Sequence, residues 1–152
     1  MRRAILALCL LALASGARGA DDPDKIAEAI GAKFTAACGA GKVDEVLALY
    51  QKDARVVYPG ENQSAGDPKE LRRVVTETCV KGGPKFELAS HHAIWLDKAH
   101  TVVASLNEWK VTGPDGKPGP ALRATEVMVK TKDGWKYAVD HASFGVAPAP
   151  SK

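Results

Sequence analysis

The feature that most constrains this chain is a change of hydrophobic period near its midpoint. Before Lys81-Gly82-Gly83-Pro84, apolar residues recur every three or four positions; after it, they alternate. Asp21-Asp22-Pro23-Asp24 places acids beside the positive end of a helix with the stripe Ile26, Ile30, Phe34 and Ala37/Cys38. Gly39-Ala40-Gly41 stops it. Val43, Val46, Leu47 and Tyr50 give the buried face of a second, short helix, and residues 54–58 read as a short strand ended by Pro59-Gly60. After a polar loop, Asp67 can cap a third helix, Pro68 suits its first position, and Glu70 sits where it can bond back to the cap. Its stripe is Leu71, Val74, Val75 and Thr78/Cys79. Four long strands are predicted at 86–96, 101–112, 121–131 and 135–144, joined by turn-rich segments. Helices first and a meander of strands afterwards predict an α+β domain. A long antiparallel sheet covered by helices on one face can curl into a cone, whose concave side is a natural small-molecule cavity.

Residues 1–20 read differently. Arg2 and Arg3 precede an apolar run from Ala4 to Ala14, followed by Ser15-Gly16-Ala17-Arg18-Gly19-Ala20. A charged start, a short apolar centre and a small-residue exit predict a secretory signal peptide cut after Ala20. The alternative is an uncleaved N-terminal anchor, although the run falls short of the ~20 residues that span a bilayer. The expected destination is the bacterial periplasm or the outside, with residues 21–146 forming the domain and 147–152 a disordered tail.

Cleavage changes the electrostatic reading. The sequence has 21 basic and 18 acidic side chains; removing Arg2, Arg3 and Arg18 leaves 18 of each. The mature chain is formally neutral, so its basicity is an export feature and no nucleic-acid partner is expected. No later segment is apolar enough for a membrane helix, so no membrane partner is expected after cleavage. Cys9 departs with the signal. Cys38 and Cys79 remain, either bonded in an oxidising compartment or as two buried thiols. A bond would close a loop of about forty residues and contribute ~4 kcal/mol.

The order of elements carries a family likeness. The stretch from Phe34 through Cys38-Gly39-Ala40-Gly41-Lys42-Val43-Asp44-Glu45-Val46-Leu47-Ala48-Leu49-Tyr50, and its continuation to Pro59-Gly60, resembles the opening of the nuclear transport factor 2-like superfamily. The segment Glu126 to Ser143, with Gly134-Trp135-Lys136 and Asp140-His141-Ala142-Ser143, is similar to the SnoaL-like and DUF4440-like branches. It also resembles the association domain of calcium/calmodulin-dependent kinase. The likeness spans about residues 24–146. It implies a cone-shaped curved antiparallel sheet wrapped by three N-terminal helices, usually a homodimer through the sheet. It also implies that the first and third helices lie side by side, which makes a Cys38–Cys79 disulfide plausible.

The best-known enzyme of the superfamily, ketosteroid isomerase, needs a tyrosine, an aspartate base and a protonated aspartate. Those positions fall here at Phe34, Tyr58 and near Thr125. None matches, so isomerase chemistry by that route is not expected; a one-residue shift brings Glu126 into the third position. On the last strand, Trp135, Tyr137, Val139, His141 and Ser143 share one face, and Lys136, Ala138, Asp140, Ala142 and Phe144 the other. The first set is aromatic-rich and is placed inward, which makes His141 a pocket histidine able to move a proton. His141, Tyr58 and Glu126 are therefore the catalytic candidates, with His141 as a structural residue the alternative. Phe34, Trp95, Asn107, Trp109, Arg123 and Thr125 are the ligand-binding candidates. The histidines supply no ligand set, so neither a metal nor a cofactor is expected. Three functions stay open: an exported binder of a small, partly apolar molecule; an isomerase, cyclase or hydratase-like enzyme; and a homodimeric assembly domain with a vestigial cavity.

Overall fold

A computed structural model describes residues 22–60 and 66–145. The proposed signal peptide, most of the polar loop at 61–66 and the proposed tail lie outside the described residues. The chain runs α1 (Pro23–Gly39), α2 (Val43–Leu47), β1 (Tyr50–Val57), α3 (Pro68–Thr78), β2 (Lys85–Trp95), β3 (Val102–Thr112), β4 (Leu122–Thr131) and β5 (Gly134–Phe144). The strands form one sheet in the order β1-β5-β4-β3-β2. This is the mixed α+β architecture, a curved open five-stranded sheet with its helices N-terminal in sequence.

Local chemistry starts the helices where the sequence says it should. Asp22 caps α1 by accepting the Asp24 N–H at 3.1 Å, and Asp67 caps α3 by accepting the Lys69 N–H at 2.7 Å. Pro23 and Pro68 occupy first-turn positions. Glu70 does not return to the cap; it pairs with Arg73 at 3.0 Å instead. The carboxylate of Asp24 accepts the backbone N–H of Ala93 at 2.6 Å, tying the first turn of α1 to β2. Farther along, Gly31 lets the helix approach the sheet: a Cβ there would stand 3.2 Å from the Trp109 ring.

Two expectations about the chain's first half change. Tyr50 belongs to β1 rather than to the face of α2. The helix is only five residues long, and Tyr137 of β5 donates its N–H to Leu49 O at 2.8 Å, so sheet pairing begins before the expected strand. β1 also runs parallel to β5, whereas the other strands pair antiparallel. Cys38 and Cys79 are bonded, with Cα atoms 4.5 Å apart. The bond joins the C-terminal ends of α1 and α3. The short α2 packs against both helices.

The core lies between the helices and one face of the sheet. Ile26, Ile30, Val46, Val56, Val74, Val75, Val103, Met128 and Tyr137 are all buried there. The other face of the sheet has no covering layer among the described residues. Ile94, Leu106 and Val139 are exposed on it, Leu106 by 61%.

One irregularity in β5 decides what enters the cone. Met128 pairs with Tyr137, but Val127 pairs with Val139, so Ala138 is an extra residue on β5. The alternation of faces shifts by one at that point. Tyr137 is buried on the inner face, and beyond the bulge so are Asp140 and Ala142, while Val139 and His141 are exposed.

Candidate functional site: a carboxyl pair at the floor of an apolar cone

The concave face encloses a cavity of about 200 Å³. Phe34 from α1, Phe86 from β2 and Trp109 from β3 form an aromatic wall. The Phe34 centroid stands 6.2 Å from that of Phe86 and 6.3 Å from that of Trp109. The floor is polar. Glu126 and Asp140 are direct cross-strand partners on β4 and β5, are 4% and 6% exposed, and both line the cavity.

Three tyrosines surround the pair. The Tyr50 hydroxyl donates to Asp140 Oδ2 at 2.7 Å and lies 2.8 Å from the Tyr58 hydroxyl. Tyr137 hydrogen-bonds to Glu126. On the other side, Ser105 Oγ donates to Glu126 Oε2 at 3.4 Å, and Asn107 Nδ2 donates to Ser105 Oγ at 3.2 Å. Asn107 Oδ1 is buried with no hydrogen-bond partner.

Burial raises the carboxyl pKa values, because the charged form loses its water. Glu126 is pushed up to about 8, by burial first and by the charge of Asp140 second; bonds from Asn107, Ser105 and Tyr137 limit the rise. Asp140 is pushed up to about 6 by burial, offset by the Tyr50 hydroxyl and by His141. Burial and the nearby carboxyls hold Tyr50, Tyr58 and Tyr137 well above the usual tyrosine value. The two carboxyls titrate as a pair. Between about pH 6 and pH 8 the pair holds one proton, so one carboxyl can give a proton while its neighbour can take one.

The candidates from the sequence divide by face. Tyr58, Glu126, Phe34 and Trp109 line the cavity, and Asn107 lies buried beside Glu126. His141 does not enter: the bulge at Ala138 turns it to the outer face, near His91, His92 and Ser143. Arg123 and Thr125 also face outward, because inward positions on β4 fall at Ala124, Glu126 and Met128. Trp95 sits away from the cavity, stacked on His100 with centroids 4.4 Å apart and 5.9 Å from Trp135. The sequence reading missed Asp140 and Tyr50. A usable signal existed: Ala142 and Phe144 are apolar and His141 and Ser143 polar, so the final residues of β5 favour the opposite parity to Trp135 and Tyr137. Among the described residues, no group of three His, Cys, Asp or Glu side chains is placed to hold a metal ion.

A family model for the SnoaL-like domain matches residues 27–147. The chain belongs to the SnoaL-like domain family. No curated relative matches it. Solved structures resemble this SnoaL-like domain over most of its length. One is a candidate calcium/calmodulin-dependent protein kinase II association domain from Xanthomonas campestris, 19% identical, covering 85% of this chain and 92% of that one, with a TM-score of 0.70. Another is a candidate dehydratase of the nuclear transport factor 2-like family from Streptomyces avermitilis, 20% identical, covering 83% and 100%, with a TM-score of 0.69. A third is a candidate scytalone dehydratase from Novosphingobium aromaticivorans, 14% identical, covering 81% and 84%, with a TM-score of 0.66. At these identities the likeness shows the shared nuclear transport factor 2-like, cystatin-like fold.

Proposed function

We propose that this SnoaL-like domain binds a small, largely apolar molecule in its cone and exchanges a proton with it through Glu126 and Asp140. The observation that carries this reading is the carboxyl pair itself: two acids, cross-strand neighbours, buried at the end of an aromatic cavity. A purely structural core would lose stability by burying them, since buried ionisable groups without good partners are costly. Isomerisation, dehydration and hydration all need a proton added at one atom and removed at another, which an acid–base pair supplies. Two solved structures of this fold are described as candidate dehydratases, in keeping with that chemistry.

The test has two stages. Thermal shift against a panel of small aromatic and alicyclic ketones, alcohols and amines should find ligands that stabilise the fold, by ~3 kcal/mol at a hundredfold excess over Kd. Incubating those ligands in deuterated water should then reveal deuterium incorporation or water loss by mass spectrometry. Asp140→Asn and Glu126→Gln should abolish that turnover, and His141→Ala should leave it intact. Turnover that survives both carboxyl substitutions would remove the proposed chemistry.

Export and self-association extend the proposal. Residues 1–20 have the pattern of a signal peptide, and the Cys38–Cys79 bond suits an oxidising compartment. The mass of the protein recovered from the periplasm or medium should correspond to a chain beginning at Asp21. A homodimer through the outer sheet face is supported by one apolar row, Ile94-Ala104-Val127-Val139, which crosses four strands with no covering layer among the described residues. Sedimentation at micromolar concentration should show the dimer; a monomer there would remove it.

A further inference from the structure

The floor of the cone is built from hydrogen-bond acceptors. Each phenol has one proton to give. Tyr50 donates to Asp140 Oδ2 at 2.7 Å, so the proton in the 2.8 Å Tyr50–Tyr58 contact comes from Tyr58. Tyr137 directs its proton to Glu126. The groups nearest Asp140 are Tyr50 at the start of β1, Tyr58 just after its end, Glu126 on β4 and Tyr137 on β5, with the charge of His141 acting from the outer face. From the helices the cavity receives Phe34 and Thr78, and none of its described lining residues carries a positive charge. A buried carboxylate without a cation takes up a proton, a cation can take that proton's place, and aromatic faces attract cations.

We propose that the ligand of this cone is a small organic amine held as its ammonium cation, its N–H groups donating to Asp140, Glu126 and Tyr58 and its hydrocarbon body lying against Phe34, Phe86 and Trp109. The inference rests on the reading of the cone as a small-molecule site and adds the charge of what enters it. Binding of the cation favours ionisation of both carboxyls, so a proton held by the pair leaves as the ammonium arrives. A carboxylate ligand would meet two acids and no positively charged side chain among the described lining residues.

Three molecules of one shape separate the possibilities: 2-phenylethylamine, 2-phenylethanol and phenylacetate, titrated calorimetrically at pH 7.5 in two buffers of different ionisation enthalpy. The amine should bind at least about tenfold tighter than the alcohol, a difference of ~1.4 kcal/mol. Phenylacetate should bind weakest, and the heat for the amine alone should depend on the buffer, reporting proton release. Asp140→Asn should weaken the amine by about tenfold and leave the alcohol within about twofold. Glu126→Gln should remove the buffer dependence, and Phe34→Trp, which fills the cavity, should abolish amine binding. If the alcohol binds as tightly as the amine, the cation fails while the cone remains a small-molecule site. Amine binding that survives Asp140→Asn or Phe34→Trp lies elsewhere and overturns the inference, and so does the absence of binding by all three.

Discussion

Asp140 and His141 are adjacent in sequence and lie in different worlds. Asp140 is 6% exposed at the floor of the cone, while His141 stands on the open outer face of the same strand. The contrast extends across the sheet. The inner face meets three helices and carries Ser105, Asn107, Trp109, Glu126 and Met128, all buried. The outer face carries Glu108, Arg123, Thr125 and an apolar row, with nothing over it among the described residues. The same backbone supports both, so the chemistry of a residue follows from its parity and from what the helices cover. A carboxyl on the inner face has its pKa raised by lost hydration; a carboxyl on a turn, such as Asp97, has its pKa lowered by bonds from Thr101.

The contrast can be tested at its strongest point first. The Cys38–Cys79 bond ties the helix layer together over the inner face, and the chain-entropy model assigns ~4 kcal/mol to a loop of this length. Replacing both cysteines by serine should lower unfolding stability by about that amount in urea titrations; an unchanged midpoint would show that packing alone holds the helices. Next, Met128→Ala should cost about 3 kcal/mol, because its side chain is fully buried on the inner face. Leu106→Ala on the outer face should stay within ~0.5 kcal/mol in the monomer. Equal losses at both sites would mean that the outer face is buried in solution.

The pH dependence is a finer probe. Glu126 and Asp140 have folded-state pKa values raised to about 8 and about 6, so the folded state holds protons that the unfolded chain releases near pH 4 to 5. Their contribution to stability is complete below the unfolded values and is lost as pH rises through about 6 and then about 8. Thermal midpoints should therefore fall between pH 5 and pH 8.5, as the folded state gives up the protons that the pair holds. Glu126→Gln should flatten that slope, and His141→Ala, which removes a charge that holds the Asp140 pKa down, should steepen its lower-pH part. The smallest effect concerns association: Leu106→Glu should dissociate an outer-face dimer in sedimentation while changing monomer stability by less than ~0.5 kcal/mol.

Much of the fold could be read from the chain because local chemistry announces it. Asp22 and Asp67 cap as their positions suggest, and the four long strands fall within about a residue of their expected ends. Tyr50 escaped because a five-residue helix has too few turns to establish a period, and its role comes from pairing with Tyr137, far along the chain. In the candidate site, Phe34, Tyr58 and Glu126 were named through the family likeness rather than from strand register, and with Trp109 they line the cavity. Asp140 was not, because strict alternation from Trp135 sends it outward.

Read alone, the sequence determined the order of helices and strands, the caps and the formal charge balance left after residues 1–20. These follow from side-chain periodicity and composition within a few residues of each position. The tertiary structure alone decided which end of β5 faces the cone. An extra residue at Ala138 can be absorbed only where two strands are already paired, and that pairing is a contact between distant segments. From it come the meeting of Asp140 with Glu126 and Tyr50, the displacement of His141 to the outer face, and the raised pKa values, which exist only once the helices have shut out water.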